Sequence, residues 1–177
     1  MEPPEKITVG ELVLKRWEPE WAELATAAVR ESLPELKRFL PWAKDSYDTA
    51  ATHAFIATST EEWAKGTTFN YAIFDTGGDL VGAIGLMSRM GPGVLEIGYW
   101  TRTRYAGRGY MTAAVEKLAQ VALALPGIDR VAIRHDASNA ASAAVATKAG
   151  FTEVDRIDRE PEAPGETGTD IIRERRG

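Results

Sequence analysis

Hydrophobic residues recur along most of the chain at one of two spacings, and these spacings predict the order of the secondary structure. Period-two alternation and short apolar runs predict strands at 11–17, 69–75, 80–87, 94–101, 130–134, 151–157 and 169–173. Spacing typical of helices predicts one helix that starts near residue 19 and four more helices at 33–40, 49–65, 109–125 and 138–149. Gly66 and Gly150 directly follow two of these helices, at the position where helices commonly end.

The order of these elements favours an α+β or mixed α/β fold. Three consecutive strands in the middle of the chain are joined by short turns, so we expect them to pair antiparallel. The full order predicts a central, mostly antiparallel sheet of about six to seven strands with helices on both faces, and 169–173 as an edge strand. The length of 177 residues favours a single domain over 1–177, with a flexible N-terminus at 1–9 and a tail at 174–177.

Composition and charge narrow the chemistry. The absence of cysteine excludes disulfides and thiolate chemistry, and two histidines are too few for a histidine-rich metal site, so we assign no metal. The N-terminus is charged and proline-rich, and no run of about 20 apolar residues occurs, so we expect a cytoplasmic protein without membrane insertion. The formal net charge of -5 argues against a nucleic-acid partner and suits a cationic substrate.

The segment 96–110, EIGYWTRTRYAGRGY, carries the clearest chemical signal. It joins a predicted strand to a predicted helix through a turn that contains Gly107 and Gly109. Such a turn directs several backbone N–H groups at one point, where the helix dipole also favours negative charge. Arg102, Arg104 and Arg108 would add charge-assisted donors. The segment therefore predicts a phosphate-binding site.

A purely structural role would also account for this segment. The two glycines can simply relax a tight turn, and the arginines can be solvated surface residues. A Walker loop would need G-x-x-x-x-G-K-[ST] and a dinucleotide fingerprint would need a third glycine, so both nucleotide sites fit less well. The diphosphate of coenzyme A is the candidate that remains.

Five motifs together resemble one family. The residues RYAGRG at 104–109 match the acetyl-CoA signature [R/Q]-x-x-G-x-[G/A] of the GCN5-related N-acetyltransferase (GNAT) superfamily. EIGYW at 96–100, N-x-x-S at 139–142, KAGF at 148–151 and FLPW at 39–42 look like its RimJ/RimL-like branch, which acetylates the N-termini of ribosomal proteins. The resemblance covers about residues 10–175 and implies the GNAT fold and an acetyl-CoA-dependent N-acetyltransferase.

The resemblance also implies how acetyl-CoA is held. The strand that ends near Thr101 would splay from its neighbour beyond a bulge, and the pantetheine arm would pair with its backbone in the gap. A backbone N–H near Tyr99 or Trp100 would polarise the thioester carbonyl. The implied cofactor-binding residues are Ile97, Tyr99, Trp100, Thr101, Arg102, Arg104, Tyr105, Ala106, Gly107, Arg108, Gly109, Tyr110, Asn139 and Ser142.

Two residues are candidates for proton transfer. An amine acceptor is largely protonated at neutral pH and must lose a proton, for which Glu96 is the candidate base, acting through water. The resemblance implies that Ser142 protonates or hydrogen-bonds the departing thiolate, and that Asn139 binds the pantetheine amides. The alternatives are that Glu96 only pairs with an arginine or lies on the solvent face, that Ser142 is a helix-surface serine, and that Asn139 only caps a helix.

The acceptor is the part that the sequence specifies least. Trp42 and Tyr47 lie in a stretch that overhangs the acceptor site in this family, so they are candidates for substrate binding, with packing as the alternative. The resemblance favours a protein N-terminal amine, but related proteins also acetylate amino acids, polyamines, antibiotics and toxins. A non-catalytic acyl-CoA sensor and a nucleotide-binding protein are further alternatives, and a homodimer is common in the family.

Overall fold

In this computed structural model, which describes residues 2–177 and leaves Met1 outside the description, eight strands form one sheet in the order β1-β2-β3-β4-β5-β6-β8-β7. The strands are β1 (Lys6–Val9), β2 (Leu12–Arg16), β3 (Thr68–Phe74), β4 (Leu80–Met87), β5 (Val94–Thr101), β6 (Arg130–Asp136), β7 (Thr152–Asp158) and β8 (Thr169–Arg176). The α-helices are α1 (Ala22–Glu31), α2 (Leu33–Leu36), α3 (Thr49–Lys65), α4 (Tyr110–Leu123) and α5 (Ala140–Lys148).

Helices pack on both faces of this sheet, as the mixed α/β pattern predicted. Alternate residues of a strand point to opposite faces, so Tyr71 of β3 lies in a core cluster with α4, whereas Ala72 lies in another with α1. Every neighbouring pair of strands is antiparallel except β5 and β6, which are parallel. The predicted mostly antiparallel sheet is therefore confirmed, with eight strands instead of six to seven.

Both ends of the chain differ from the prediction. The N-terminus was expected to be flexible over 1–9, but β1 pairs with β2 and its Ile7 is buried. The segment 169–173 was expected to be an edge strand with a tail after it. Instead β8 lies between β6 and β7 and extends to Arg176, so most of the expected tail belongs to the sheet and β7 is the edge strand. Pairing on both sides holds this polar segment in place.

Local sequence fixes the ends of the helices near the site. Asp48 caps α3 by accepting a hydrogen bond from the Ala51 N–H (2.9 Å), and Gly66 ends it in the left-handed conformation (φ 72°). The predicted helix at 49–65 and the predicted strand at 94–101 are thus confirmed with the same bounds. α4 begins after Gly109, which is left-handed and has no side-chain cap.

The sheet divides beyond Glu96. β5 pairs with β6 only from Val94 to Glu96, although β5 continues to Thr101 and β6 to Asp136. Over 96–101 β5 stays paired with β4 in one unbroken register. A gap therefore opens along the β6 side of β5, and the bulge that the resemblance implied does not interrupt the pairing of β5 with β4.

Candidate functional site

Backbone groups of β5 point alternately to β4 and to the gap. The Arg102 N–H donates to the Val81 carbonyl (2.8 Å) on β4, which fixes the phase of this antiparallel pair. Because the direction of the backbone N–H alternates along a strand, the N–H of Trp100, two residues before Arg102, also points to β4. The N–H of Tyr99 lies between them in this alternation and points to the gap. The carbonyl of Gly93 accepts a hydrogen bond from the β6 side, as the same phase requires. Of the two N–H groups that the sequence proposed, only that of Tyr99 therefore faces the gap.

A turn of free backbone N–H groups lies at the start of α4. Gly107 (φ 76°) and Gly109 (φ 78°) adopt the left-handed conformation that favours glycine. In the part of the chain that the structure describes, the N–H groups of residues 107–112 donate no hydrogen bond, and the first donor is Ala113, to the Gly109 carbonyl (3.1 Å). A Cβ at either glycine would meet no atom within 4 Å. The turn is therefore open and rich in donors, as an anion-binding site requires.

This turn forms one wall of a cavity of about 480 Å³. The cavity runs from the turn past the end of β5 to α5, and the segment after α2 covers it. Ten of the predicted cofactor-binding residues line it: Tyr99, Trp100, Thr101, Tyr105, Ala106, Gly107, Gly109, Tyr110, Asn139 and Ser142. The residues Ile97, Arg102, Arg104 and Arg108 were also predicted but are not among its lining.

The cavity wall also contains residues that were not predicted to bind the cofactor or the substrate. They are Glu35, Leu36, Arg38, Phe39, Leu40, Thr103, Met111, Thr112, Ala141, Ala144, Val145 and Lys148. The FLPW motif at 39–42 could have indicated that the segment 35–40 lines the site. The small residues of α5 could have indicated that this helix lies close to the site. Neither pattern by itself shows which side chains reach a cavity.

The prediction that Arg102 binds a phosphate group needs correction, because its guanidinium forms hydrogen bonds inside the protein. Its Nε and Nη2 donate to Oε2 of Glu31 (3.1 and 2.6 Å), and its Nη1 donates to Oδ1 of Asp79 (2.9 Å) and to the Leu80 carbonyl (3.3 Å). The hydrogen bond from Arg102 lowers the pKa of the Glu31 carboxyl. Arg102 is buried and joins α1 to β4, so it is not available to a phosphate group.

The other two arginines of the motif remain at the surface. Arg104 is about half exposed and donates from Nε to Oε1 of Glu31 (2.8 Å). Arg108 is exposed, and its guanidinium lies over the ring of Tyr105, 5.4 Å from the centroid. The Tyr105 hydroxyl donates to Asp79, and this hydrogen bond raises the pKa of Tyr105 to about 12. These contacts attach the segment to α1 through Glu31 and to the β3–β4 hairpin through Asp79.

Ser142 meets a second hydroxyl that the sequence did not identify. The Tyr99 hydroxyl donates to the Ser142 carbonyl (3.1 Å) and lies 2.8 Å from Ser142 Oγ. Burial raises the pKa of Tyr99 to about 12, so this phenol is protonated at neutral pH. Asn139 Oδ1 accepts the Ser142 N–H (3.2 Å), so Asn139 caps α5 in addition to lining the cavity.

Glu96 forms the arginine pair that the alternative interpretation described. Its carboxylate accepts from Nε and Nη2 of Arg89 (2.7 and 2.9 Å). The Glu96 side chain is 3% exposed and that of Arg89 is 64% exposed, so Glu96 does not lie on the solvent face. Glu96 is not among the residues that line the large cavity.

Trp42 and Tyr47 line a second, smaller cavity of about 180 Å³. Its wall consists of Trp17, Ala25, Val29, Trp42, Tyr47, Ala51, Thr52, Phe55 and Trp100. Trp100 also lines the large cavity, so this residue borders both spaces. Trp42 lies against both Tyr47 and Trp100, with ring centroids 5.6 and 6.4 Å apart. The structure thus brings Trp42 and Tyr47, the two predicted substrate-binding residues, to the end of β5.

Residues 2–177 contain neither a cluster of metal-ligating side chains nor a helix that could span a membrane. No group of three or more histidine, aspartate or glutamate side chains among them could hold a metal ion. None of the helices formed by these residues has the length and apolar character needed to cross a membrane.

Comparison with known proteins gives one family and a set of similar folds. A model described as Acetyltransferase (GNAT) domain matches residues 11–152. No curated protein has a matching sequence. The structure of RimL, a ribosomal L7/L12 alpha-N-protein acetyltransferase in complex with coenzyme A, has a TM-score of 0.89 and 21% identity, over 97% of this chain and 98% of RimL.

Two further structures show the same likeness. The Microcin C7 self immunity acetyltransferase MccE, in complex with acetyl-CoA and AMP, has a TM-score of 0.90 and 20% identity, covering 98% of this chain and 97% of that one. Mycobacterium smegmatis RimJ in complex with CoA-disulfide has a TM-score of 0.89 and 18% identity, covering 100% of this chain and 90% of that one. The likeness at these identities shows a shared fold.

Proposed function

This chain belongs to the acetyltransferase (GNAT) domain family, and on that premise we propose that it transfers an acetyl group from acetyl-CoA to a primary amine. The observation that carries the proposal is the continuity of two features, a row of free N–H groups at 107–112 and the unpaired backbone edge of β5 at 97–101. Residues 99–101 of this edge and residues 107 and 109–112 of the turn line the cavity of about 480 Å³. Its walls fit a long donor that has a diphosphate at one end and a thioester at the other.

The turn before α4 supplies the anion site. Its free N–H groups and the N-terminal end of the helix dipole favour a diphosphate, and Arg104 and Arg108 are the exposed arginines nearest to it in sequence. Arg102 contributes indirectly, because its bonds to Glu31 and Asp79 fix the end of β5. The residues present therefore fit a coenzyme A diphosphate.

The gap beside β5 supplies the site for the pantetheine arm and the reacting carbonyl. The unpaired edge of β5 offers alternate N–H and C=O groups to an extended chain, as a neighbouring strand would. The N–H of Tyr99 faces this gap and can donate to a carbonyl oxygen that gains negative charge. Acetyl transfer forms the C–N bond to the amine and breaks the C–S bond of the thioester, so no enzyme nucleophile is needed.

Two proton steps remain for the side chains. Ser142 lies in the cavity wall next to Tyr99, so its hydroxyl can donate a hydrogen bond to the departing thiolate. The protonated phenol of Tyr99 lies 2.8 Å from Ser142 Oγ and can donate to that oxygen. Glu96 is our candidate base, acting through water on the opposite side of β5 from Tyr99. Arg89 holds the Glu96 carboxylate in place through two hydrogen bonds (2.7 and 2.9 Å).

We infer that the acceptor is the α-amino group of a protein N-terminus. The name of RimL states this chemistry for one structural neighbour, whereas MccE is a self-immunity acetyltransferase, so small-molecule amines are the second candidate class. A homodimer, the single domain and the cytoplasmic location remain predictions.

Thiol release tests this function. The protein is incubated with acetyl-CoA and a pool of peptides and small amines, and free coenzyme A is measured. We expect release that depends on an acceptor. Binding of acetyl-CoA without such release would instead support an acyl-CoA sensor, and an equal shift of Tm by ATP or NAD would support a nucleotide-binding protein.

A further inference from the structure

The second cavity has an unusual wall for an amine-binding enzyme. Trp17, Trp42, Tyr47, Phe55 and Trp100 contribute five aromatic rings, and no residue of the wall is charged within the described part of the chain. An aliphatic ammonium such as a lysine or polyamine end would find no carboxylate there. The wall therefore favours an uncharged, flat group.

The size of this cavity suits one aromatic ring. Its volume is about 180 Å³, and an apolar protein cavity of about 150 Å³ is large enough to bind benzene. The rings around it meet edge to face, as in Trp17 and Phe55, whose centroids lie 5.6 Å apart at 88°. Such a wall can pack on both the faces and the edges of an inserted ring.

The polar atoms of the wall residues are paired or sealed within the protein. The indole N–H of Trp17 is buried and donates no hydrogen bond within residues 2–177, although Trp17 is only 5% exposed. The hydroxyls of the wall are already paired, because Tyr47 bonds to Thr52 (2.8 Å) and Thr52 bonds to Thr26 (2.6 Å). Because the Trp17 N–H has no accessible surface and the two hydroxyls are paired, the wall offers a ligand a mostly apolar surface.

The cavity also lies where an acceptor substrate would extend. Trp100 borders both cavities and follows Tyr99, whose N–H faces the gap. The amine of an acceptor must reach the gap, and the group attached to it can then occupy the space behind Trp100.

From these observations we propose that the aromatic cavity binds the side group of the acceptor, and that this group is a neutral aromatic ring, such as that of tyrosine. This substrate class rests on the proposed acetyl transfer. It selects tyrosine-like amines, either as the first residue of a peptide or as a free arylalkylamine, over small aliphatic or cationic ones.

A comparison of acceptors tests the proposal. kcat/KM is measured for peptides that differ only in an N-terminal Tyr, Leu, Lys or Ala, and for tyramine beside n-butylamine. We expect the tyrosine peptide to exceed the alanine peptide by about tenfold or more, because it buries a ring. Peptide and tyramine arms show whether the ring comes from a protein or a small molecule.

Two variants connect this preference to the cavity. Ala51→Leu places three more carbon atoms in the wall, and Trp42→Ala removes an exposed ring, so each should lower the ratio of kcat/KM for tyrosine over alanine toward one. Ala54→Leu, at an exposed position on the same helix, is the matched control and should keep the ratio. No preference for the tyrosine peptide, or one that both cavity variants retain, overturns the proposal.

A binding measurement separates this inference from the proposed function. p-Cresol carries the ring without an amine, so saturable quenching of tryptophan fluorescence by p-cresol, lost in Ala51→Leu, reports the cavity alone. If no amine is acetylated, that quenching supports the ring site while the transfer function fails. If amines are acetylated without ring preference and p-cresol does not bind, the ring site fails and the transfer function stands.

Discussion

Replacement of Gly107 by glutamate tests the anion site most directly. The change places a carboxylate in the turn whose free N–H groups are expected to hold the diphosphate. A Cβ at Gly107 meets no atom within 4 Å, so the new side chain fits without displacing a neighbour. The φ of 76° costs a non-glycine residue about 1–2 kcal/mol, which a folded domain tolerates.

The loss of affinity follows from charge repulsion. One carboxylate about 5 Å from two phosphate charges is repelled by about 2–6 kcal/mol, for an effective dielectric between that of water and that of a protein surface. Isothermal titration calorimetry should therefore show a Kd for coenzyme A that is at least about 30-fold higher.

Gly127→Glu is the matched control. Gly127 has φ 81°, and a Cβ there also meets no atom within 4 Å. It lies beyond the opposite end of α4, about 21 Å away along the helix axis, where screening removes most of the repulsion. The variants share the added charge and the backbone strain. Wild-type affinity in Gly107→Glu, or an equal loss in both variants, would refute the anion site.

Three further changes test other parts of the structure. Ser142→Ala should lower kcat about 100-fold with a much smaller effect on the Kd of acetyl-CoA, and equal kcat in stopped-flow thiol release would exclude its proton role. Arg102→Met removes the buried guanidinium that joins Glu31 and Asp79, which then keep only Arg104 and Tyr105 as side-chain partners. Urea unfolding should show a loss of about 1–3 kcal/mol, whereas an unchanged midpoint would contradict the network. Asp136 is buried, which opposes ionisation, but hydrogen bonds from Thr167 and Ser138 lower its pKa overall. Its contribution is therefore present above the unfolded pKa of about 3.9 and lost as pH falls below it, and urea unfolding between about pH 7 and pH 3 should show a smaller acid loss in Asp136→Asn.

Local patterns predicted most helices and strands, and the errors fall where pairing with distant residues decides. The bounds of α3 follow from Asp48 and Gly66, which act within one turn of the helix. β1 was missed because its apolar residues are few and its position depends on β2. β8 was placed at an edge because no local signal shows that it lies between β6 and β7.

The candidate site shows the same division. The open turn at 107–112 was predictable because glycine conformation and the helix start are local properties. The role of Arg102 was not, because its carboxylate partners lie 71 and 23 residues away in sequence. The contact between Tyr99 and Ser142 joins residues 43 apart, and it depends on how far α5 lies from β5. Sequence reasoning therefore found the residue types but not their partners.

In the function that we propose, the alternation of β5 ties donor and acceptor specificity to a single strand register. Tyr99 serves one face of the sheet and Trp100, its immediate neighbour, serves the other. An insertion of one residue before them would exchange the two faces for every later side chain of the strand. A substitution on one face can therefore change one of the two sites alone, whereas an insertion or deletion in the strand would change the side chains of both sites together.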